Sequence, residues 1–126
     1  NQNYTDIPFI QANSFERIEL AKQKAKELQI FIILKDHHTA VITPEKKVFY
    51  NITGNSGMAK GGSGDVLTGI LTSLISQKYD IEQACIFGVW LHGKAGDFAA
   101  AAYSKEAMLP TDLINKIGSV YQYLNT

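Results

Sequence analysis

The sequence has one cysteine, Cys85, among its 126 residues. One thiol excludes an intramolecular disulfide framework and fits a reducing cytosol, so a cytoplasmic location is expected. The neighbours Ala84, Ile86 and Phe87 are apolar, which predicts a buried, unreactive thiol. Neither sign of charge is in excess: Lys plus Arg number 12 and Asp plus Glu number 12. No net field draws the chain to nucleic acid or to anionic lipid, and neither is an expected partner. No apolar run reaches the length of a membrane span, and the first residues lack the basic-then-apolar plan of a signal peptide. Internal repeats and low-complexity tracts are missing too. What remains is ordinary globular composition, 45% apolar and 19% charged, in a length that suits one compact domain. Any anion bound here must be held by local geometry.

Residues 1–12 lack periodicity and carry Pro8, and read as a loop. Asn13 followed by Glu16 matches a helix-capping pattern. Phe15, Ile18, Ala21, Ala25 and Leu28 then recur at helical spacing, which predicts an amphipathic helix over 14–29. Residues 30–34 form an unbroken apolar run, the pattern of a strand covered on both faces, with Lys35 at its end. Residues 39–43 and 47–51 predict two strands around a turn at Pro44-Glu45-Lys46. From Asp65, the residues Val66, Leu67, Ile70, Leu71, Leu74 and Ile75 mark a helix. A second helix over about 81–102 is rich in Gly and Ala, so it can press closely on a neighbour or ligand. Pro110-Thr111 opens a last helix with Thr111 as N-cap and an apolar face that includes Leu113, Ile114, Ile117 and Tyr121. The order predicts an α/β domain. One strand and a hairpin make a thin sheet for so many helices, so the chain is expected to be the C-terminal part of a longer domain.

Between the strands and the helices lies NITGNSGMAKGGSGDVLTGI, with six glycines in the sixteen residues from Gly54 to Gly69. Gly61-Gly62-Ser63-Gly64 leads directly into a helix. A helix N-terminus offers unpaired N–H groups and a partial positive charge, and glycines let a ligand approach the backbone. Together they form an anion cradle of the kind that holds phosphate. The stretch is not a Walker A loop, because no Gly-Lys-Ser/Thr follows at the required spacing. A dinucleotide fingerprint also fails, since Leu67 stands where its third glycine belongs. Asp65 is the odd member, because a carboxylate repels an anion. It has two readings. It is a helix N-cap or first-turn acid, worth on the order of 1 kcal/mol. Or it is a general base that takes a proton from a substrate hydroxyl while the loop amides hold a transferring phosphoryl group.

The run Thr53-Gly54-Asn55-x-Gly57-Met58-Ala59-x-Gly61-Gly62-Ser63-Gly64-Asp65-Val66-Leu67-Thr68-Gly69-Ile70 closely resembles the signature of the NAD(P)H-hydrate dehydratases, members of the ribokinase-like superfamily. The resemblance extends upstream to Leu34-Lys35-x-x-His38-Thr39. Downstream it takes in Gly88-Val89-x-Leu91-His92-Gly93-x-Ala95-Gly96-Asp97 and Asp112-Leu113. It implies a three-layer α/β/α sandwich, of which residues 1–126 are the C-terminal portion of one domain. It implies a carbon–oxygen lyase that uses ADP or ATP to dehydrate hydrated NADH or NADPH: the hydroxyl is phosphorylated and phosphate then leaves. On this resemblance Asp65 is the base and contacts the hydrate, and the amides of Gly62, Ser63 and Gly64 form the anion hole. Lys35, Asp36, His37, His38 and Thr39 contact the nucleotide, as does Gly64. Mg²⁺ comes with the nucleotide, held by phosphates and water rather than by protein ligands. Family habit leans towards a homo-oligomer. The choice between ADP and ATP stays open, as does an epimerase domain fused upstream.

One departure is visible: Asp36 and His37 stand where the family usually has Gly-Ala, which bears on the turn and on nucleotide affinity. The remaining polar residues have plain readings. His37 and His38 are adjacent and lack a supporting ligand cluster, so no metal site is expected. His92 reads as a buried, hydrogen-bonded histidine, Asp97 as a local cap or pair, Lys60 as solvated, and Trp90 as packing. Two alternatives stand beside the dehydratase: a ribokinase-like kinase acting on a small alcohol, and a non-catalytic nucleotide-binding module.

Overall fold

The computed structural model describes residues 14–35 and 38–125. The expected loop over 1–12, the cap at Asn13, and the site residues Asp36 and His37 lie outside the described residues. The chain divides into two compact units, Asn1–Asn51 and Ile52–Thr126.

In the first unit, helix α1 spans Ser14–Leu28 and is followed by strands β1 (Ile32–Leu34), β2 (Ala40–Ile42) and β3 (Val48–Tyr50). The three strands form an antiparallel sheet in the order β1-β2-β3, with Ile33 opposite Val41 and Val41 opposite Phe49. Each strand is shorter than its apolar run, because pairing begins only where the chain leaves a cap or turn. Helix α1 ends in a left-handed Gln29 at φ +55°, and the Ile30 N–H reaches back to the Ala25 carbonyl at 3.1 Å. This closes the helix and delays β1. The β2–β3 turn is closed by the Lys46 N–H on the Thr43 carbonyl at 2.9 Å. Ile18, Ala21 and Ala25 of α1 pack with Ile32, Leu34, Ala40 and Ile42. Phe15 and Leu28, expected on the same apolar face, are instead exposed, at 71% and 47%. They sit on the first and last turns of α1, beyond the reach of strands three residues long.

The second unit opens with the glycine segment, which includes a 3₁₀ turn at Ser56–Met58, and continues as helices α2 (Ser63–Ser76), α3 (Ile81–Tyr103) and α4 (Pro110–Leu124). Helix α3 is the central element and packs on both α2 and α4. Its small residues permit this: a Cβ on Gly88 would sit 2.7 Å from the Leu71 side chain. Ile70, Leu74, Ala84, Leu91, Ala95 and Val120 form the core. The Asp80 carboxylate caps α3 by accepting the Gln83 N–H at 3.2 Å. Thr111 is not the N-cap of α4. Leu109 holds that position with Pro110 as the first helical residue, and the Asp112 carboxylate accepts the Leu109 N–H at 2.8 Å. Proline at the first position has no N–H to satisfy and moves the cap one residue upstream of itself. Cys85 is buried as expected. Burial, and secondarily the Asp80 carboxylate, push its thiol above the ordinary range. Among the described residues no helix is long and apolar enough to cross a membrane.

Candidate active site

The geometry of the glycine segment is set by α3. The Thr53 hydroxyl donates to the Trp90 carbonyl at 3.0 Å. The Asp97 carboxylate accepts from the Gly54 N–H at 3.1 Å and from the Asn55 side-chain amide at 3.0 Å. The Asn55 side-chain oxygen then caps the 3₁₀ turn by accepting the Gly57 N–H at 2.9 Å. Asp97 therefore does not pair locally; it ties down residues more than forty positions away. This close approach needs glycine on the helix. A Cβ on Gly93 would lie 2.1 Å from the Thr53 hydroxyl oxygen, and one on Gly96 would lie 2.2 Å from the Met58 sulfur. Trp90, Gly93 and Asp97 recur at helical spacing, so the seat of the segment is one stripe of α3.

Lys60 was expected to be solvated. Its ammonium instead donates to the carbonyls of Glu106, at 2.9 Å, and Met108. It latches the α3–α4 connection, and its carbonyl also accepts the Ser63 N–H at 3.2 Å. The chain then turns through Gly62 at φ +99°, a conformation that favours glycine, and α2 begins at Ser63. Of the three amides assigned to the anion hole, that of Ser63 is thus already used by Lys60. The N–H groups of Gly62, Gly64 and Asp65 have no protein acceptor among the described residues. A Cβ on Gly61 would meet nothing within 4 Å, so the approach to these donors is open.

Asp65 is the third residue of α2 and is exposed. The N-cap is Gly62, so Asp65 does not cap the helix. It remains a first-turn acid favoured by the helix dipole, and its carboxylate makes no hydrogen bond among the described residues. It lines an open groove of about 510 Å³ together with Val66, Ile70, Leu91, Ile117 and Tyr121. Burial first, and Tyr79 second, raise the Tyr121 phenol above its usual range. Ser63 and His92 are both buried behind the first turn of α2. The His92 Nε2 lies 3.0 Å from the Ser63 carbonyl oxygen and 3.3 Å from its hydroxyl.

The structure thus brings Gly62, Ser63, Gly64 and Asp65 together on one helix start. In the first unit, Lys35 directly follows β1, is exposed, and its carbonyl accepts from the Arg17 guanidinium at 3.3 Å. His38 is exposed, and the Thr39 carbonyl accepts the Asn51 N–H at 2.8 Å. Sequence reasoning missed the support behind the loop: Thr53 to Trp90, Asp97 to Gly54 and Asn55, Lys60 to the α3–α4 connection. The available clue was the Gly93/Gly96/Asp97 spacing, which marks a face built to seat backbone. Among the described residues no three or more His, Cys, Asp or Glu cluster to hold a metal ion.

Known proteins resemble this chain in sequence and in fold. The sequence profile of the NAD(P)H-hydrate dehydratase family matches residues 6–119. The bifunctional NAD(P)H-hydrate repair enzyme Nnr of Moorella thermoacetica is 41% identical over 109 residues, which are 86% of this chain and 21% of that protein. The ADP-dependent (S)-NAD(P)H-hydrate dehydratase of Neisseria meningitidis is 46% identical over 66 residues, 52% of this chain and 22% of that protein. Among solved structures, the ADP/ATP-dependent NAD(P)H-hydrate dehydratase of Bacillus subtilis, co-crystallized with ATP/Mg²⁺ and soaked with CoA, superposes with a TM-score of 0.81 at 32% identity. That match covers 86% of this chain and 40% of the other. The chain therefore spans between about a fifth and two fifths of the length of these relatives.

Proposed function

The chain belongs to the NAD(P)H-hydrate dehydratase family, and from that membership we propose that residues 1–126 form the C-terminal part of one ribokinase-like domain that dehydrates hydrated NADH and NADPH with ADP or ATP. The observation that carries the reading is the start of α2. There an unengaged carboxylate, Asp65, stands beside amides without protein acceptors, inside the family's sequence run.

The residues present fit a phosphorylated ligand. The N–H groups of Gly62, Gly64 and Asp65 point out of a helix start whose dipole favours negative charge, and Gly61 leaves their approach clear. The nucleotide, when bound, supplies the phosphoryl group that turns the hydrate's hydroxyl into a leaving group. Asp65 takes the proton from that hydroxyl, so the oxygen carries the electron pair that forms the new P–O bond. The amides hold the negative charge that collects on the transferring group. Phosphate then departs with the electron pair of its C–O bond, a proton leaves the neighbouring ring carbon to water, and the electrons of that C–H bond restore the nicotinamide double bond. Val66, Ile70 and Leu91 give the open groove beside the carboxylate an apolar wall. Lys35, His38 and Thr39 contribute to nucleotide binding. Mg²⁺ arrives with the nucleotide, held by phosphate and water. Family habit adds a homo-oligomer to the proposal.

The test is turnover of hydrated NADH by the complete gene product, followed as the return of intact NADH absorbance, with ADP and ATP supplied separately. Recovery that depends on a nucleotide is expected. A folded protein that binds nucleotide but recovers no NADH would turn the reading towards a small-alcohol kinase or a binding module.

A further inference from the structure

We infer that His92 is a positioning residue for the anion cradle: its Nε2–H holds the Ser63 carbonyl and so fixes the first turn of α2. The inference rests on the cradle reading above. The geometry assigns the proton. A carbonyl only accepts, so a ring nitrogen 3.0 Å from the Ser63 oxygen must donate, and the hydroxyl at 3.3 Å is the weaker contact. Both residues are buried, Ser63 at 5% and His92 at 8% exposure, so the bond is shielded from competing water.

The position of this bond matters more than its strength. The apolar packing of α2 on α3 begins at Val66 and continues along the helix at Ile70, Leu74 and Leu71 against Gly88. The first turn of α2 follows two glycines, one of them with open space around it. On the α3 side Val66 packs against the cores that hold Leu91, Ala95 and Ala99, and among the described residues His92 adds the polar contact to the Ser63 carbonyl. Without the His92 bond α2 stays packed, while Gly64 and Asp65 gain freedom to reorient. Misplacement of a cradle by a fraction of an ångström lowers catalysis without unfolding the protein. His92 touches no reacting atom in this scheme; it acts through Ser63.

The experiment compares His92→Leu and His92→Gln in the complete gene product. Two readouts are used: kcat and KM for hydrate dehydration, and the shift of the Gly64 and Asp65 backbone amide signals on adding MgADP. His92→Leu is expected to lower kcat about a hundredfold with little change in Tm, and to weaken the amide response. His92→Gln keeps an N–H at the same reach and restores both to within about tenfold. Should His92→Leu fail to fold, His92→Asn, whose amide stops short of the carbonyl, takes its place. Equal impairment of the Gln and Leu variants with lowered Tm overturns the inference, because histidine is then merely structural. So does an unchanged kcat and amide response in His92→Leu. If the parent shows no dehydration with either nucleotide, the proposed activity fails and the amide readout alone decides the role of His92. Amides that ignore MgADP in the parent remove the cradle, and this inference with it.

Discussion

Asp65 occupies a place where two roles predict opposite balances between stability and rate. As a first-turn acid it stabilises α2 by about 0.3–1 kcal/mol through the helix dipole. As a base it contributes about 10²–10⁴ in rate. Asp65→Asn is expected to lower kcat by that factor, while its melting temperature falls by no more than a few degrees. Retention of full turnover would make Asp65 a helix-start acid and nothing else. The glycines give a second contrast. Gly93→Ala would drive a Cβ to 2.1 Å from the Thr53 hydroxyl and 2.7 Å from the Thr53 backbone, whereas Gly61→Ala meets nothing within 4 Å. Overpacking of this kind costs about 1–3 kcal/mol, and here the neighbour is backbone and cannot step aside. Urea denaturation should show a clear loss for Gly93→Ala and almost none for Gly61→Ala. Equal losses would mean that the segment 53–58 is not seated on α3 as described. Cys85 belongs to the same scale. Its thiol pKa is raised by burial, so the neutral form is favoured in the folded state. The stability this provides is fully present below the unfolded pKa near 9 and is lost as pH rises through the folded value. Cys85→Ala should flatten the stability curve above about pH 9.

The ends of the elements, rather than their middles, separate what could be read from the sequence and what could not. The helical stripe Ile18, Ala21, Ala25 and the run at 66–75 are long-period patterns and survive as α1 and α2. The caps do not read as directly. Thr111 has the right chemistry for an N-cap, yet Pro110 sets the helix start and Leu109 takes the position. Gln29 and Lys78 have left-handed backbones, φ +55° and +73°, where glycine is the usual choice, and nothing in either side chain announces it. In both places the chain closes the helix with a return bond, Ile30 N–H to the Ala25 carbonyl and Tyr79 N–H to the Leu74 carbonyl. Glycine at either position relieves the strain of a left-handed residue but adds freedom to the unfolded chain. Gln29→Gly and Lys78→Gly are each expected to stabilise by about 0.5–1 kcal/mol, read as a raised thermal midpoint. Destabilisation in both would show that side-chain contacts, rather than backbone strain, govern these helix ends.

For the molecule as a whole, the chemistry of the candidate site was accessible and its scaffolding was not. The segment 61–65 is contiguous, so its amides and carboxylate can be placed from sequence alone. Asp97, Trp90 and Lys60 act on residues that are remote in sequence, and no local pattern shows which remote group a side chain will meet. Charge is a different kind of whole-molecule property, because it adds up without any structure. With 12 basic and 12 acidic residues and a pI near 7.0, copies of this 126-residue chain repel one another least at neutral pH. The surface gives them reason to associate: Ile52 is 81% exposed, Phe15 71% and Ile114 53%. The described sheet also leaves β1 and β3 as edges. Away from the pI near 7.0 the net charge grows, positive below it and negative above it. Attraction between copies of the isolated chain should therefore be strongest near pH 7 and weaken in both directions. Static light scattering at a series of pH values reads this as a minimum in the second virial coefficient. A coefficient that does not vary with pH would assign the association to apolar surface alone, and substitution of Ile114 by a charged residue would then relieve it where a change of pH does not.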